Sequence, residues 1–221
     1  EPPPPFRRTG PVDVAVIIVT YQSESEIDDV IESLRRETME QSLRVVVADN
    51  ASTDRTVARA RQHPDVVVVE TGGNLGYAAA INRAMTEAGE TEAFLVLNPD
   101  LRVHRRCVSH LRRRQARCGA GIVVPAILSP EGERTLSLRG EPSLTRSIGD
   151  ALFGSRWVGR PTRLSETVRS SSAYATAKQI DWATGAAALT PHFSSSSLES
   201  SAASRTVRPE RSSTIFSSFD M

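Results

Sequence analysis

Four short stretches hold the residues whose types and spacing could do chemistry: "VTYQS" from Val19, "ADNASTD" from Ala48, "GGNLGYAAAIN" from Gly72 and "NPD" from Asn98. They concentrate hydroxyl, amide and carboxylate groups, among them Asp49, Asn50, Ser52, Asp54, Asn74, Asn82, Asn98 and Asp100. Amides and carboxylates can read a base edge and ribose hydroxyls. A carboxylate with open neighbouring positions suits Mg²⁺ or Mn²⁺ bound jointly with a diphosphate. A nucleotide diphosphate therefore fits the set. Taken singly, each residue also has a plain structural reading: Asp49-Asn50 as a turn, Ser52 as a helix cap, Asn74 as a left-handed residue between glycines. Two phosphate-binding chemistries are excluded. The first apolar run is followed by Thr20-Tyr21-Gln22 rather than G-x-G-x-x-G, and no G-x-x-x-x-G-K-[ST] loop occurs. A sugar-phosphate nucleotidyltransferase would also need a Gly-rich loop and a basic residue after the first strand, which "TYQSES" lacks.

These residues need elements to position them, and the chain supplies an alternation. "VDVAVIIVTY" is a β-branched run without helical period, read as a strand buried on both faces. "SESEIDDVIESLRRE" follows as a helix, with Ser23 as cap, Glu26 three residues on, and Ile27, Val30, Ile31 and Leu34 on one stripe. "LRVVVADN" is a second strand, and "STDRTVARARQH" a helix capped by Ser52 or Thr53. "DVVVVETG" is a third strand, "GYAAAINRAMTEAG" a third helix, and "EAFLVLNPD" a fourth strand. Strands that are apolar throughout and alternate with helices predict an open, mostly parallel α/β sheet flanked by helices. In such sheets ligands bind beyond the carboxyl ends of the strands. All four polar stretches fall there.

The rest of the chain is less regular. "RVHRRCVSHLRRRQARCG" predicts a helix over 102–117 with Val103, Cys107, Val108 and Leu111 inward. Its outward arginines read as a solvated face, with acidic lipid headgroups as the other reading. "AGIVVPAILSPEGE" is a strand and turn, "TLSLRGEPSLTRSIGDALFGSRW" a loop with a short helix, and "IDWATGAAAL" a last strand. Residues 1–11 form a Pro-rich leader expected to be extended and mobile, and residues 190–221 are serine-dense without either period, expected to be disordered. The 221 residues carry 27 basic and 26 acidic side chains, a net charge of +1, which argues against a nucleic-acid binder. No apolar run reaches the roughly 20 residues of a membrane span, and the leader lacks a signal-peptide core. The two cysteines, Cys107 and Cys118, fit structural thiols in a reducing compartment. Lys178 is the only lysine, an arginine bias expected of GC-rich coding DNA.

The order "VIIVTYQS", "VVVADNASTDRT", "GGNLGYAAAINRAM" and "FLVLNPDL" resembles the nucleotide-binding half of the inverting family 2 glycosyltransferases, and most of all their rhamnosyltransferase-like branch. The resemblance runs from about Val12 to Leu189. It implies a GT-A type fold with a Rossmann-like nucleotide-binding half over 12–189, and transfer of a sugar in cell-surface polysaccharide synthesis. The donor would be a dTDP- or UDP-linked sugar and the acceptor a saccharide or polyprenyl-linked molecule, in the cytoplasm or at the inner face of the plasma membrane. It implies roles residue by residue. Thr20 and Tyr21 line the base pocket, Asp49 contacts base or ribose, and Asn74 and Gly76 form the "N-x-G" turn beside the nucleotide. "NPD" stands at the family's D-x-D metal motif, with Asp100 on the Mg²⁺ or Mn²⁺ and Asn98 in place of the first acid. Trp182, Thr184 and Gly185 of "DWATGAA" match the strand and loop near sugar and acceptor.

The resemblance also implies a general base in a paired acidic motif some 20 to 40 residues past the "TGA" loop. That motif is not in the sequence after Leu189, where only Glu199, Glu210 and Asp220 occur, amid serines. A reading-frame shift near Thr190 or a natural truncation would each account for it. The catalytic base is left unassigned, and a nucleotide-sugar-binding protein without turnover stands as the rival reading.

Overall fold

The computed structural model describes residues 2–135, 137–139, 178–180, 182–183, 185–192 and 214–217. It comprises two compact units, Glu1–Arg113 with Ala186–Arg208, and Arg114–Gly185 with Pro209–Met221.

The first unit follows the predicted alternation: β1 (Val12–Thr20), α1 (Ile27–Arg35), β2 (Leu43–Asp49), α2 (Thr56–Ala60), β3 (Val67–Glu70), α3 (Tyr77–Glu87) and β4 (Thr91–Leu97). Its strands lie in the order β3-β2-β1-β4, all parallel, and β9 (Ala187–Pro191) adds to β4 antiparallel. This order dictates where the helices go. Right-handed crossovers from β1 to β2 and β2 to β3 place α1 and α2 on one face, and the return from β3 to β4 carries α3 to the other. The α3 face packs Ala80, Ala84 and Ala88 on Ala15, Ile17 and Val19 of β1, Val46 and Ala48 of β2, Val69 and Phe94. Alanine lets a helix backbone approach the sheet closely, which accounts for the Ala-rich run. The alternate residues Val14, Val16, Ile18, Val45 and Val47 point the opposite way and are also buried, as are Ile27, Val30, Ile31 and Leu34 of α1. Both faces are thus apolar, and the strands read as continuous hydrophobic runs.

Arg44 interrupts the β2 run. It is 3% exposed, and its guanidinium donates to the carbonyls of Arg7, Gly10 and Ala88, the last at the C-terminal end of α3. Burial pushes its pKa down. The partial negative charge of a helix end offsets the buried cation. Gly89, at φ +63°, makes this possible, because a Cβ there would stand 2.5 Å from the guanidinium.

The fourth helix, α4 (Cys107–Cys118), begins five residues later than predicted. Its start is held by Glu37, a 1% exposed carboxylate in a short 3₁₀ turn after α1. The two carboxylate oxygens accept from the backbone N–H groups of Arg106 and Val108, the latter at 2.8 Å. Arg106 adopts φ +67° to aim its N–H inward. Burial, and then the Glu37 carboxylate, push the Cys107 thiol up to about 12, leaving it protonated and inert, as expected of a structural cysteine.

The leader departs from expectation. Phe6 is 3% exposed under the guanidinium of Arg35, 4.7 Å from ring centre to cation. Arg35 makes a two-bonded contact with Asp65 at 2.6 and 3.0 Å, and Asp65 also accepts the Phe6 N–H at 3.1 Å. The arginine first, and that N–H as well, hold Asp65 below the usual carboxylate range. Arg7 N–H donates to the Leu43 carbonyl and Thr38 Oγ1 to the Pro4 carbonyl. One phenylalanine among prolines suffices to dock the segment, so the expectation of a mobile leader is corrected.

Two predicted caps also differ. The Ser23 hydroxyl bonds Tyr21 while its carbonyl accepts the Glu26 and Ile27 N–H groups. At α2 the Asp54 carboxylate, rather than Ser52 or Thr53, accepts the Thr56 N–H at 3.0 Å.

In the second unit β5 (Ile122–Pro125) matches the predicted strand, and the predicted turn closes between Ser129 and Glu133. β6 (Leu138–Arg139) pairs with β8 (Trp182–Ala183), while β10 (Thr214–Ser217) pairs with β5 and with β7 (Lys178–Ile180). Most of the predicted loop and short helix after Thr135 lies outside the described residues. So does most of the serine-dense tail. Within it, however, Thr190 and Pro191 continue β9 and Thr214–Ser217 form β10, so the tail is not disordered throughout.

Replacing Glu37 by alanine should cost about 2–3 kcal/mol in urea unfolding, since it leaves buried N–H donors unpaired. Burial raises its pKa above 4.5, against the backbone N–H bonds that lower it. Its contribution is then complete below about pH 4.5 and lost as pH rises through the raised folded value. Relative to Glu37→Gln, wild type should be more stable at pH 4 than at pH 7. A pH-independent difference would show that Glu37 titrates normally.

Candidate active site

The order β3-β2-β1-β4 makes the carboxyl ends of β1 and β4 the point where the chain reverses its build direction, leaving a crevice. Register places Thr20 against Asp49 and Ile18 against Leu97, so Tyr21, Asn50 and Asn98 all emerge at this edge.

Asp49 anchors it. Its carboxylate is 2% exposed and accepts three bonds: Thr20 Oγ1 at 3.0 Å, the Ser52 N–H at 2.9 Å and Ser52 Oγ at 2.6 Å. Three of its roughly four lone-pair directions are engaged, leaving one. The tight turn that brings Ser52 back puts Ala51 at φ +69°, a left-handed conformation that alanine rarely adopts and that structures hold mainly at functional positions. From the facing loop, the Gln22 N–H donates to Ser52 Oγ at 2.9 Å and Gln22 Nε2 to Thr53 Oγ1 at 2.8 Å. Further along, Ser23 N–H donates to Thr56 Oγ1 and Glu24 N–H to Asp54. The β1 and β2 loops are one assembly.

Asn50 extends it to the "GGNLG" turn. Its Oδ1 accepts the Leu75 N–H at 2.8 Å and its Nδ2 donates to Asn74 Oδ1 at 2.8 Å, which also receives the Gly76 N–H at 3.2 Å. Thr71 Oγ1 lies 2.9 Å from the Asp49 carbonyl and 2.7 Å from the Gly73 carbonyl. Gly76, at φ +82° and ψ +165°, starts α3 in a region essentially closed to other residues. The turn therefore delivers Tyr77, the first residue of α3, to the end of β4. There its hydroxyl donates to Asn98 Oδ1 at 3.0 Å. Burial first, and then the neighbouring Asp100 carboxylate, push the Tyr77 phenol up. The Asn98 N–H donates to the Ala186 carbonyl at 2.9 Å, and Asp100 is exposed.

Of the four large apolar side chains exposed among the described residues, three, Tyr21, Leu75 and Tyr77, belong to these loops, at 55%, 53% and 42% exposure, and the fourth, Met39, lies in the turn after α1. Exposed apolar surface grouped beside polar groups marks a binding edge.

Sequence reasoning placed Thr20, Tyr21, Asp49, Asn74, Gly76, Asn98 and Asp100 at one site, and all seven fall at this edge. Asn50, Ser52 and Asp54 join the hydrogen-bonded loops. Asn82 is exposed on α3 and takes no part. Trp182 opens β8 and Gly185 is an exposed turn residue, both in the second unit, while Thr184 lies outside the described residues. Tyr77, Thr71 and Gln22 were missed. For Tyr77 a signal existed: an aromatic directly after N-x-G, on the polar rather than the apolar face.

Residues 15–168 match Glycosyl transferase family 2, and the chain belongs to that family. It is 30% identical over 186 residues to an N-acetylglucosaminyl-diphospho-decaprenol L-rhamnosyltransferase of Mycobacterium tuberculosis, covering 79% of this chain and 60% of that protein. It is 31% identical over 141 residues to a low-salt glycan biosynthesis hexosyltransferase of Haloferax volcanii, covering 62% of this chain and 44% of that one. The chain thus spans 60% or less of the length of these relatives. Among solved structures it is similar to a mannosyltransferase from Pyrobaculum calidifontis in complex with GDP-Man and Mn²⁺. There the identity is 28% and the TM-score 0.45, covering 58% of this chain and 39% of that one.

Asp49→Ala should lower stability by about 2–3 kcal/mol in chemical unfolding, because Thr20 and Ser52 lose their buried acceptor. A change under about 0.5 kcal/mol would mean that the loops hold together without the carboxylate.

Proposed function

We propose that the chain moves a sugar from a nucleotide-diphosphate sugar to a saccharide or polyprenyl-linked acceptor in cell-surface polysaccharide synthesis. The observation that carries this reading is the continuous hydrogen-bonded edge from Thr20 to Asn98, ending beside the exposed Asp100. On it, Tyr21 offers an exposed ring to a base, and Asp49 holds Thr20 and Ser52 in the pocket wall with one acceptor direction left for base or ribose. Asn74 and Gly76 shape the turn beside the nucleotide. A dTDP- or UDP-linked donor suits this set, and Trp182 and Gly185 serve the sugar and acceptor side as the family resemblance implies.

The donor set can be tested against a divalent ion. Among the described residues no three His, Cys, Asp or Glu side chains gather to hold one. A single exposed carboxylate, Asp100, fits the mode in which Mg²⁺ or Mn²⁺ keeps waters and draws further ligands from substrate phosphates. When bound, the ion would offset charge developing on the leaving diphosphate.

A second reading, donor binding without turnover, is favoured by one specific observation. At this edge Asp49 and Asp54 are engaged inside the loops, Glu70 pairs with Arg61, and Asp100 is assigned to the metal. With Glu24 held by Arg55 and Arg59, that leaves no carboxylate there among the described residues for a general base, a group typically worth about 10²- to 10⁴-fold. Asp181, Glu199, Glu210 and Asp220 lie outside the described residues.

A place at the inner face of the plasma membrane belongs to the same proposal. No helix among the described residues is long and apolar enough to cross a membrane. Within 102–117, Arg102, Arg106, Arg112 and Arg113 pair with Asp29, Glu40, Glu92 and again Glu40. Among the described residues, Arg105 and Arg117 are the exposed arginines of this stretch left to meet lipid, at about 1 kcal/mol each. Sedimentation with phosphatidylglycerol vesicles at physiological salt should show only weak binding. Tight retention would reinstate the helix as a lipid surface.

Calorimetry should detect UDP or dTDP binding that strengthens when Mn²⁺ or Mg²⁺ is present. Asp100→Ala should abolish the metal dependence and leave the melting temperature of the metal-free protein within about 2 °C, since Asp100 is exposed. No heat with either nucleotide in the presence of metal defeats the donor-site reading.

A further inference from the structure

Tyr77 is poorly explained by packing. It is 42% exposed at the first position of α3, where the alanines that follow show that the helix needs no large side chain. Among the contacts it makes is a directed one, from its hydroxyl to Asn98 Oδ1 at 3.0 Å. That contact joins the turn after β3 to the turn after β4. The chemistry of Asn98 depends on it. A carboxamide presents one acceptor and one donor end. With Oδ1 occupied by the Tyr77 hydroxyl, the Nδ2 end and its two N–H groups are the part left to face a ligand, and among the described residues Nδ2 has no acceptor.

Resting on the donor-site reading above, we propose that Tyr77 is a positioning residue. It turns Asn98 so that the carboxamide donates an N–H to a diphosphate oxygen of the nucleotide, while Asp100 alone supplies the protein's carboxylate to the metal. Asn98 is then not a neutral copy of a metal-binding acid but a group of opposite hydrogen-bonding sense. An acid at 98 would place a second negative charge beside the diphosphate and require the metal to offset it. An N–H donor attracts the diphosphate whether or not the metal is present. Metal-free nucleotide affinity is therefore the quantity that Tyr77 governs, and a residue that merely filled space would leave it unchanged.

The test uses the full 221-residue chain with UDP and dTDP, each titrated calorimetrically in EDTA and in Mn²⁺, beside the melting temperature of each variant. Tyr77→Phe keeps the ring and should weaken binding about 3- to 10-fold in both conditions with an unchanged melting temperature, the loss expected for one hydrogen bond to a charged group. Asn98→Ala should weaken it at least as much, and adding Tyr77→Phe to Asn98→Ala should bring no further loss, because the hydroxyl acts only through the amide. Asn98→Asp retains an acceptor for Tyr77 but reverses the outward group, so affinity in EDTA should fall more than affinity in Mn²⁺. Unchanged binding by Tyr77→Phe, additive losses in the double variant, or Asn98→Asp binding in EDTA as well as wild type would each overturn the inference. If wild type itself binds neither nucleotide, the donor-site reading fails as well. If wild type binds and Tyr77→Phe binds equally, only the role of Tyr77 fails.

Discussion

A carboxylate removed from water must be surrounded by donors, and Asp49 meets that requirement with groups from two different loops. Thr20 comes from the end of β1 and Ser52 from the turn after β2. The bonds are charge-assisted and lie in a region of low dielectric, where each is stronger than in water and more costly to lose. Everything else at this edge is arranged around them. Gln22 is placed by Ser52, Asn50 follows Asp49 in sequence and holds Asn74 and Leu75, and the turn so fixed launches α3 toward Asn98. The edge is thereby organised before any ligand arrives, which spares a ligand the cost of ordering four loops.

The same device recurs at Glu37, where a buried carboxylate accepts the first N–H groups of α4. The difference lies in function. Glu37 holds only backbone N–H groups at a helix start, and burial raises its pKa. Asp49, just as buried, ties two side-chain hydroxyls and a loop N–H together at the carboxyl edge of the sheet. A buried acid therefore does not by itself mark a site. The marks are the exposed Tyr21, Leu75 and Tyr77 beside it and its place at the reversal of strand order, since a left-handed residue also stands beside Glu37, at Arg106.

How much of this was legible in the sequence follows from the range of each interaction. β1, β2 and β4 were legible because strands buried on both faces are apolar without interruption, and α3 because its alanines recur at helical spacing. The position of the polar edge followed from the rule that parallel strands present their carboxyl ends to ligands. Contacts spanning tens of residues were not legible. Ser23 looked like a cap, yet its N–H goes to Thr56 across the loop assembly, and α4 is started by a glutamate about 70 residues earlier. The leader was read from its prolines, whereas Phe6 and its shared partner Asp65 decide its fate. The N-x-G motif before Tyr77 specifies a backbone turn, whereas the partner of its side chain, Asn98, lies 21 residues further on.

Charge gives a reason for the amide at position 98 on the proposed donor-site reading. A nucleotide diphosphate brings negative charge to an edge that already holds Asp49 and Asp100. Asp49 is muted by its three donors, so Asp100 is the main repulsive group, and a second exposed acid would roughly double the opposition to binding without metal. One carboxylate is enough when phosphate oxygens and water complete the coordination of the ion. With a single carboxylate, an ion at Asp100 would be held chiefly by the phosphates of the nucleotide. The protein's fixed contribution would then be the geometry of hydrogen-bond donors around the diphosphate.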